Sequence, residues 1–462
     1  MPAPGLGWKS QKGRNNVMAY HVLPSKFAGR SALLKRPHIL TRPKVLLAAN
    51  NPRRIIRYAY YAFVFSIPFE SAVIGIVPGH LTIARMIGYV FVLVALLQPS
   101  LCFRSPPKGF WYFVAYLYVF VALGFVQESE FLRLTFSRLI MLIQMLMLFW
   151  LSYNMMRYQH VSNATLMILA VSCTLLAILL ALAVGSEPAP PNSRGLADQE
   201  RISAFGDDPN TTAGVLSLGT LALMGLAYGR EKARWSVRML TWVGLGVLAS
   251  VIVFTGSRGS LVAVTIGLLA LFLSGKGRAP WPRAQLSGVR LKVGLIIVIA
   301  MSLLIGISYY YEPAKKRWER TFTEGSMAGR ERIFPAALEM VFEKPLIGWG
   351  PTHHYYELGS RLGRPFRDTH NLYLWILTET GLVGAIPFFI AVWYCLRGAW
   401  KARGGVDGPL PLALLLALLT INLSLTWHNM KLFWIVLAYT LASGDVTAMP
   451  APKLREAANL PR

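Results

Sequence analysis

Cysteine is rare in this sequence and has no functional spacing. The 462 residues include three cysteines, Cys102, Cys173 and Cys395, all within or beside long apolar segments. Metal sites and redox pairs need closely spaced cysteines, and small disulfide-stapled folds need several pairs of them. The sequence therefore argues against a disulfide framework and against a cysteine metal centre.

Acidic residues are also scarce. Asp and Glu number 21 against 47 Lys and Arg, which gives a formal net charge of +26. Such an excess can indicate nucleic-acid binding, but it also arises in membrane proteins with basic cytoplasmic loops. No short apolar core with a small-residue cleavage site follows the basic N-terminus, so no cleavable signal peptide is predicted.

Apolar segments make up most of the chain. The sequence is 54% hydrophobic, with a mean hydropathy of +0.46. Continuously apolar runs of about 20 residues recur, which is the length a helix needs to cross a bilayer. The sequence predicts an all-α polytopic membrane protein with about 12 transmembrane helices. The predicted spans are 58–77, 81–98, 109–126, 134–155, 164–185, 211–228, 239–255, 260–274, 293–311, 371–395, 409–427 and 430–444.

Twelve spans place both termini on one side of the membrane, and the charges then separate. Segments on that side hold 30 of the 47 bases but only four of the 21 acids. Since Lys and Arg accumulate in cytoplasmic loops, this side is predicted to be the cytoplasm. Residues 1–57 form a basic cytoplasmic tail that contacts anionic membrane lipid, and residues 445–462 form a second tail. This distribution explains the basic charge and predicts no nucleic-acid partner.

A long polar segment, residues 312–370, separates predicted helices 9 and 10 on the outer side. Connectors of this length are usually functional or disordered. Its many Trp, Phe, Tyr and Leu residues indicate a folded loop. The chain is thus divided into helices 1–9 over 58–311, a large outer loop over 312–370, and helices 10–12 over 371–444.

A tight corner, residues 255–260, joins two predicted spans with almost no loop and reads Thr-Gly-Ser-Arg-Gly-Ser. It places Arg258 at the outer face of the membrane. Glycines allow close backbone approach, and a guanidinium beside the Ser257 hydroxyl suits phosphate oxygens. A snorkelling arginine is the alternative, but bases are depleted on this side of a membrane, which favours an anion site.

A second polar outer segment contains Arg201, which the sequence leaves open as an anion ligand or as one partner of a loop salt bridge. Asp207 and Asp208 follow it and would suit the metal ligands of a metal-dependent glycosyltransferase. The subsequent Pro-Asn-Thr run favours helix capping instead. No metal and no cofactor are therefore predicted.

The large loop contains two further candidate anion ligands, Arg330 and Arg332, at the start of a predicted helix that a Pro/Gly turn ends at 344–350. Residues two apart in a helix point about 200° apart. One of these arginines is therefore expected to bind an anion and the other to be solvated or paired. The remaining bases of the loop are predicted to contact lipid head groups or solvent: Lys315, Lys316, Arg317 and Arg320.

The strongest catalytic candidate is His370, in the run Asp368-Thr369-His370-Asn371 before an apolar helix. Asp368 or Thr369 is predicted to cap this helix, leaving His370 in its first turn. There the helix dipole favours the neutral imidazole, which can accept a proton. His370 is therefore predicted to be the catalytic residue, with Asn371 in support.

Gly381 and Gly384 lie three and nearly four turns further along the same predicted helix. Gly381 with Ala385 is expected to pack against a neighbouring helix through a small-xxx-small contact. The two glycines thereby support the position of His370.

Glu379 lies about 180° around this helix from His370 and about 13.5 Å along it. A buried carboxylate in a spanning helix needs a partner, and Arg85 or Arg138 is predicted to supply it.

Three motifs together resemble the O-antigen ligase and O-antigen polymerase superfamily. They are His370-Asn371 followed after nine residues by Gly381-x-x-Gly384, the 255–259 corner, and the Gly-Arg…Pro-Leu-Ile-Gly-Trp-Gly loop at 329–350. The similarity covers residues 200–384 by motif and the whole chain by topology. The His-Asn…Gly-x-x-Gly element is fairly specific for the ligase branch.

The resemblance implies a metal-independent, GT-C-like glycosyltransferase of the bacterial inner membrane, with its active face in the periplasm. The donor would be a glycan on undecaprenyl pyrophosphate, and the acceptor the lipid A-core oligosaccharide. By this analogy His370 takes the catalytic position, and Arg258 and Arg330 take those of the family's conserved arginines. An O-antigen polymerase, a protein O-oligosaccharyltransferase and a polysaccharide transporter remain as alternatives.

Overall fold

The computed structural model describes residues 51–71, 82–127, 131–183, 186–187, 201–228, 235–274, 287–325 and 327–448. The predicted cytoplasmic tails, 1–57 and 445–462, lie largely outside these ranges. Within the described part, nearly all regular structure is helical. The helices longer than one turn are α1 (Arg54–Ser66), α2 (Ile83–Ala95), α3 (Lys108–Gln127), α4 (Leu132–Met156), α5 (Gln159–Ala181), α6 (Pro209–Tyr228), α7 (Trp235–Phe254), α8 (Arg258–Leu273), α9 (Ser287–Ser308), α10 (Glu312–Glu324), α11 (Arg330–Glu343), α12 (His353–Arg361), α13 (Leu372–Ala402), α14 (Leu410–Ile421) and α15 (Lys431–Ala448).

Six of these helices are long and apolar enough to cross a membrane: α3, α4, α5, α6, α7 and α13. Each of the twelve predicted spans overlaps one described helix. The all-α membrane fold class is therefore confirmed, while the count of twelve spans and the GT-C likeness stay predictions. The predicted span 409–427 is too long, because α14 ends at Ile421 and the polar residues after it make tertiary hydrogen bonds.

The bundle is built from helices with different degrees of enclosure. About 78% of the apolar part of α6 is buried in the protein, against 33% for α3 and for α7. A helix that is apolar all round and enclosed belongs to the interior. Helix α6 packs on α5, α7, α8 and α14, whereas α13 packs on α3 and α15.

The outer segment 186–210 closes with a short pair of strands. β1 (Ser186–Glu187) and β2 (Ser203–Ala204) are antiparallel, with Ser186 opposite Ala204. Thr212 Oγ1 in the first turn of α6 accepts a 3.0 Å hydrogen bond from Ala204 N. The strand pair thus brings Arg201 back to the outer end of α6.

Helix α13 is broken at Gly381, where the sequence predicted a continuous helix. Gly381 has φ +57° and ψ −161°, a conformation that is essentially restricted to glycine. The backbone groups freed by the break pair with the turn after α11. Leu382 N donates to Pro345 O at 2.8 Å, and Trp349 N donates to Thr378 O at 2.8 Å.

The predicted packing role of Gly381 against a neighbouring helix is therefore wrong. A Cβ at Gly381 would lie 2.4 Å from the Leu346 backbone, so the close contact is with the loop. A Cβ at Gly384 would lie 2.2 Å from Thr380 Oγ1 of the preceding turn. Gly381 thus forms a break against which the 345–350 turn packs, and this contact holds the outer loop on α13.

Candidate functional site

The 255–260 corner is as tight as predicted. Helix α7 ends at Phe254 and α8 begins at Arg258, with three residues between them. Ser257 is the N-cap residue of α8, is 2% exposed, and its hydroxyl donates to Ser260 Oγ at 3.0 Å. Arg258 therefore stands at the first position of α8, at the end of the bundle that carries the outer loop.

Arg258 is held by backbone and aromatic contacts. Its Nη1 donates to Arg317 O at 3.1 Å, and its guanidinium carbon lies 5.7 Å from the Trp318 ring centroid. Burial, together with the smaller effect of the charges of Arg317 and Arg330, lowers the pKa of Arg258 to about 10. Two further guanidiniums thus act on that of Arg258, and such a concentration of positive charge favours binding of an anion.

Arg201 joins the same corner from the other outer segment. It is 2% exposed, its Nε donates to Thr255 O at 2.6 Å, and its Nη2 donates to Asn210 Oδ1 at 3.0 Å. These bonds tie the 201–210 segment to the corner three residues before Arg258. The two interpretations of Arg201, anion ligand and loop salt bridge, stay predictions.

The capping interpretation of the aspartates is confirmed for Asp208. Asn210 N, at the second position of α6, donates to Asp208 Oδ1 at 2.7 Å. Asp207 instead accepts from Ser71 Oγ at 2.9 Å and from Asp208 N at 2.7 Å. Burial is the main reason that the pKa of Asp207 rises to about 6, and the charges of Asp208 and Glu70 add to the rise. Among the described residues, no group of three or more His, Cys, Asp or Glu is arranged to hold a metal ion.

Arg330 and Arg332 face different ways, as their spacing predicted. Arg330 is partly buried at the first position of α11, and its Nη2 donates to Ser424 O at 2.9 Å. Arg332, two residues on, is exposed. Of this pair, only Arg330 is oriented toward the corner.

Arg317 was assigned to lipid or solvent from the sequence, and this is wrong. It is 8% exposed, on the inner face of α10 with Ala314, which is 2% exposed. Its neighbours Lys316 and Arg320 are exposed. The signal was available in the amphipathic pattern of α10, since positions 314, 317, 318 and 321 share one helix face.

His370 lies just before α13 rather than within its first turn. Asn371 is the N-cap, and its Oδ1 accepts from Tyr373 N at 2.9 Å and Leu374 N at 3.0 Å. His370 has φ +48°, an uncommon conformation for a residue with a side chain. Neither Asp368 nor Thr369 caps the helix, so that prediction is wrong, whereas the supporting role of Asn371 gains a structural basis.

Asp368 instead orients the histidine. Its Oδ1 accepts from His370 N at 2.5 Å and lies 4.0 Å from His370 Nδ1. Its Oδ2 accepts from Thr426 Oγ1 at 2.8 Å. The side chain of His370 is 20% exposed, so part of it is accessible from outside the protein. Asp368 therefore fixes the backbone of His370, and its carboxylate lies near the imidazole but beyond hydrogen-bond distance of the ring.

A short connector between α14 and α15, residues 422–426, gathers these parts. Its carbonyls accept from Leu372 N (Asn422 O, 3.0 Å), Asn371 Nδ2 (Leu423 O, 3.2 Å) and Arg330 Nη2 (Ser424 O, 2.9 Å). A Cβ at Gly259 would lie 2.8 Å from Ser424 Oγ. The connector therefore touches the start of α8, the start of α11 and the segment that carries His370.

Glu379 lies in the buried part of α13 below the site. Its carboxylate accepts from Tyr116 Oη at 2.6 Å and from Trp375 Nε1 at 3.3 Å. Arg138, one of its predicted partners, donates to Pro351 O and lies 5.4 Å from the Trp375 ring centroid. The predicted ion pair of Glu379 with an arginine stays a prediction.

Comparison with known proteins gives one family match. Residues 243–389 match the family model described as O-Antigen ligase. That range includes Arg258, Arg317, Arg330 and His370, and begins after Arg201.

An O-antigen ligase from Pseudomonas aeruginosa is 26% identical over 204 residues, which are 44% of this chain and 45% of that protein. The aligned region therefore spans less than half the length of this relative. The resemblance that the motifs indicated is confirmed: residues 243–389 match the O-antigen ligase family model, and a curated O-antigen ligase is similar to part of the chain.

Proposed function

We propose that this protein is a ligase-type glycosyltransferase that joins a lipid-linked glycan to the lipid A-core oligosaccharide. The observation that carries the proposal is the gathering of Arg201, Arg258, Arg317 and Arg330 around one corner. The 422–426 connector joins the segment that carries His370 to this corner, because it hydrogen-bonds to Asn371 and Leu372 as well as to Arg330. The donor would be a glycan on undecaprenyl pyrophosphate, the membrane the inner membrane, and the active face periplasmic.

The arginines would hold the diphosphate of the donor. Guanidiniums bind phosphate oxygens in a bidentate manner and stabilise the charge that grows on a leaving pyrophosphate. Repulsion among these buried cations is relieved when a dianion enters. No metal ion is required by this scheme, because the arginines would supply the positive charge.

His370 would act on the acceptor. The acceptor hydroxyl oxygen attacks the anomeric carbon, the bond from that carbon to the pyrophosphate oxygen breaks, and its electron pair leaves with the lipid pyrophosphate. The hydroxyl proton passes to the imidazole of His370, whose protonated form the Asp368 carboxylate stabilises. Direct displacement of this kind inverts the anomeric configuration.

The test is reconstitution of the purified protein with lipid-linked glycan and rough lipopolysaccharide, scored for joined product. His370→Ala should slow joining by about 10²–10⁴-fold, the usual contribution of a general base. Donor binding should stay near the wild-type level, because the arginines are intact. His370→Gln keeps hydrogen bonding without comparable basicity, so activity in Gln but not in Ala indicates an orienting role.

His160→Ala is the matched control, since His160 is exposed at the start of α5. It should join glycan at the wild-type rate. If His370→Ala does the same, the assignment of His370 is wrong. A wild-type protein that moves the lipid-linked glycan across vesicles without forming a glycosidic bond would be a transporter instead.

A further inference from the structure

The residues between α12 and His370 form an anchored strap, residues 363–367. Arg364 N donates to Gly359 O at 2.8 Å, and Arg367 N donates to Tyr355 O at 2.9 Å. The strap crosses α12 so closely that a Cβ at Gly359 would lie 2.5 Å from Phe366 Cα. The backbone of the strap is thus fixed on the helix, and its side chains are presented in a defined arrangement.

Phe366 is an exposed aromatic residue on this strap. One face of its ring stacks on Tyr355, with centroids 5.2 Å apart and planes at 14°. Phe366 nevertheless remains 51% exposed. Tyr355 is held in turn by Arg138, whose guanidinium carbon lies 5.5 Å from the Tyr355 centroid. Tyr355 thus supports one face of the Phe366 ring, and the rest of the ring remains accessible.

The strap is also cationic. Arg364 is exposed on one side of Phe366, and Arg367 follows on the other. A Cβ at Gly329, next to Arg330, would lie 3.7 Å from Arg367 Nη2. A further arginine of the region, Arg361, is paired with Glu343 and Glu357. Arg364, which is exposed two residues before Phe366, adds positive charge to the strap.

The strap lies next to the reacting group. Phe366 and His370 are four positions apart in the sequence, so their Cα atoms are at most about 14 Å apart. Asp368, which contacts His370, directly follows Arg367. Through Arg367 and Gly329 the strap also borders the start of α11, where Arg330 lies.

We propose that residues 363–367 form the subsite that binds the acceptor, as an acidic oligosaccharide. The apolar face of one sugar ring would lie on Phe366, and a phosphate or carboxylate group of the oligosaccharide would pair with Arg364. An acceptor held there would extend toward His370 with a free hydroxyl. This inference rests on the proposed function and adds a location for the acceptor.

Membrane lipid is the competing occupant of an exposed aromatic residue at this depth. The loop contains a contrasting example in Phe342, which is 73% exposed and shares a helix face with Leu338, itself 45% exposed. Phe366 lies instead between two arginines and on a stacked tyrosine, which favours a polar ligand with flat apolar faces.

The experiment compares Phe366→Leu and Phe366→Trp in the full-length protein. Calorimetry measures binding of delipidated core oligosaccharide, and initial rates give KM for acceptor and for donor. Leucine keeps the apolar character without the flat ring, and tryptophan keeps the ring. Phe366→Leu should weaken oligosaccharide binding and raise the acceptor KM by about three- to tenfold, the usual contribution of an aromatic contact. Phe366→Trp and the control Phe342→Leu should match wild type, and the donor KM should not change.

The charge contribution has its own test. Binding of core oligosaccharide should weaken as NaCl is added, and Arg364→Gln should reduce that salt dependence. Neutral maltohexaose should bind more weakly than core oligosaccharide. If Phe366→Leu binds oligosaccharide as wild type does while joining proceeds, the strap contacts lipid and the inference is wrong. If binding depends on Phe366 but the wild type forms no glycosidic bond, the saccharide subsite stands and the proposed function is wrong.

Discussion

At the scale of single residues, Arg258 both holds α10 in place and is proposed to bind the diphosphate. Its Nη1 holds the Arg317 carbonyl, which fixes α10 on the corner. The rest of its fork remains for an anion, beside two further guanidiniums. A lysine has one compact ammonium group and cannot hold a carbonyl and a diphosphate in the same geometry.

We therefore expect Arg258→Lys to impair joining although the charge is kept. The loss should be roughly ten- to a hundredfold in kcat/KM, which corresponds to one charge-assisted hydrogen bond. Arg320→Lys on the exposed side of α10 is the control and should be neutral. If Arg258→Lys binds donor and turns over at the wild-type level, Arg258 is not an anion ligand and only its positive charge matters.

Asp207 gives a prediction about pH and stability. Its pKa is raised from 3.8 to about 6 in the folded protein, so folding favours its protonated form. Its stabilising contribution is complete below pH 3.8 and is lost as the pH rises through about 6. The neutral variant Asp207→Asn avoids that loss. Its Tm relative to wild type should therefore rise between pH 4 and pH 7, and a difference that is constant over this range would contradict the pKa assignment.

At the scale of elements, the break in α13 connects the loop to the bundle. Gly348 and Gly381 approach so closely that a Cβ on Gly348 would lie 2.7 Å from Gly381 N. The 345–350 loop and the Gly-x-x-Gly element, two of the motifs that carry the family resemblance, therefore pack directly against each other. His370 directly precedes the same helix, so the contact between Gly348 and Gly381 helps to fix the helix that positions His370.

Gly381→Ala should destabilise the protein by about 1–3 kcal/mol, the usual range for a strained backbone conformation. The added Cβ also overlaps the Leu346 backbone. Gly246→Ala in α7 is the matched control, because a Cβ there meets nothing within 4 Å. Thermal unfolding in detergent should show a lower Tm for Gly381→Ala only, and equal values for the two variants would show that the break is not needed.

At the scale of the whole molecule, the separation of charge along the chain predicts its orientation. The outer loop and the C-terminus should lie on opposite sides of the membrane. Alkaline phosphatase, which is active only outside the cytoplasm, should be active when fused after residue 340 and inactive at the C-terminus. Activity at both positions would show that the number of spans between them is not three.

The sequence by itself determined the helical membrane class, the tight corner at Arg258 and the choice of His370 as catalytic candidate. These follow from local properties, namely apolar run length, charge order and short motifs. Capping at Asp208 and the opposite directions of Arg330 and Arg332 also depend only on neighbouring residues. Such features are set by backbone geometry over a few positions, so a single sequence suffices to predict them.

The tertiary structure alone decided which polar residues meet. Arg317 is buried because α10 folds onto the corner, and Asp368 orients His370 because Thr426, 58 residues later, occupies its other oxygen. Gly381 is a break because a turn more than 30 residues earlier supplies partners for its freed backbone groups. These contacts join residues distant in sequence, and no local pattern specifies which face of one element will meet which face of another.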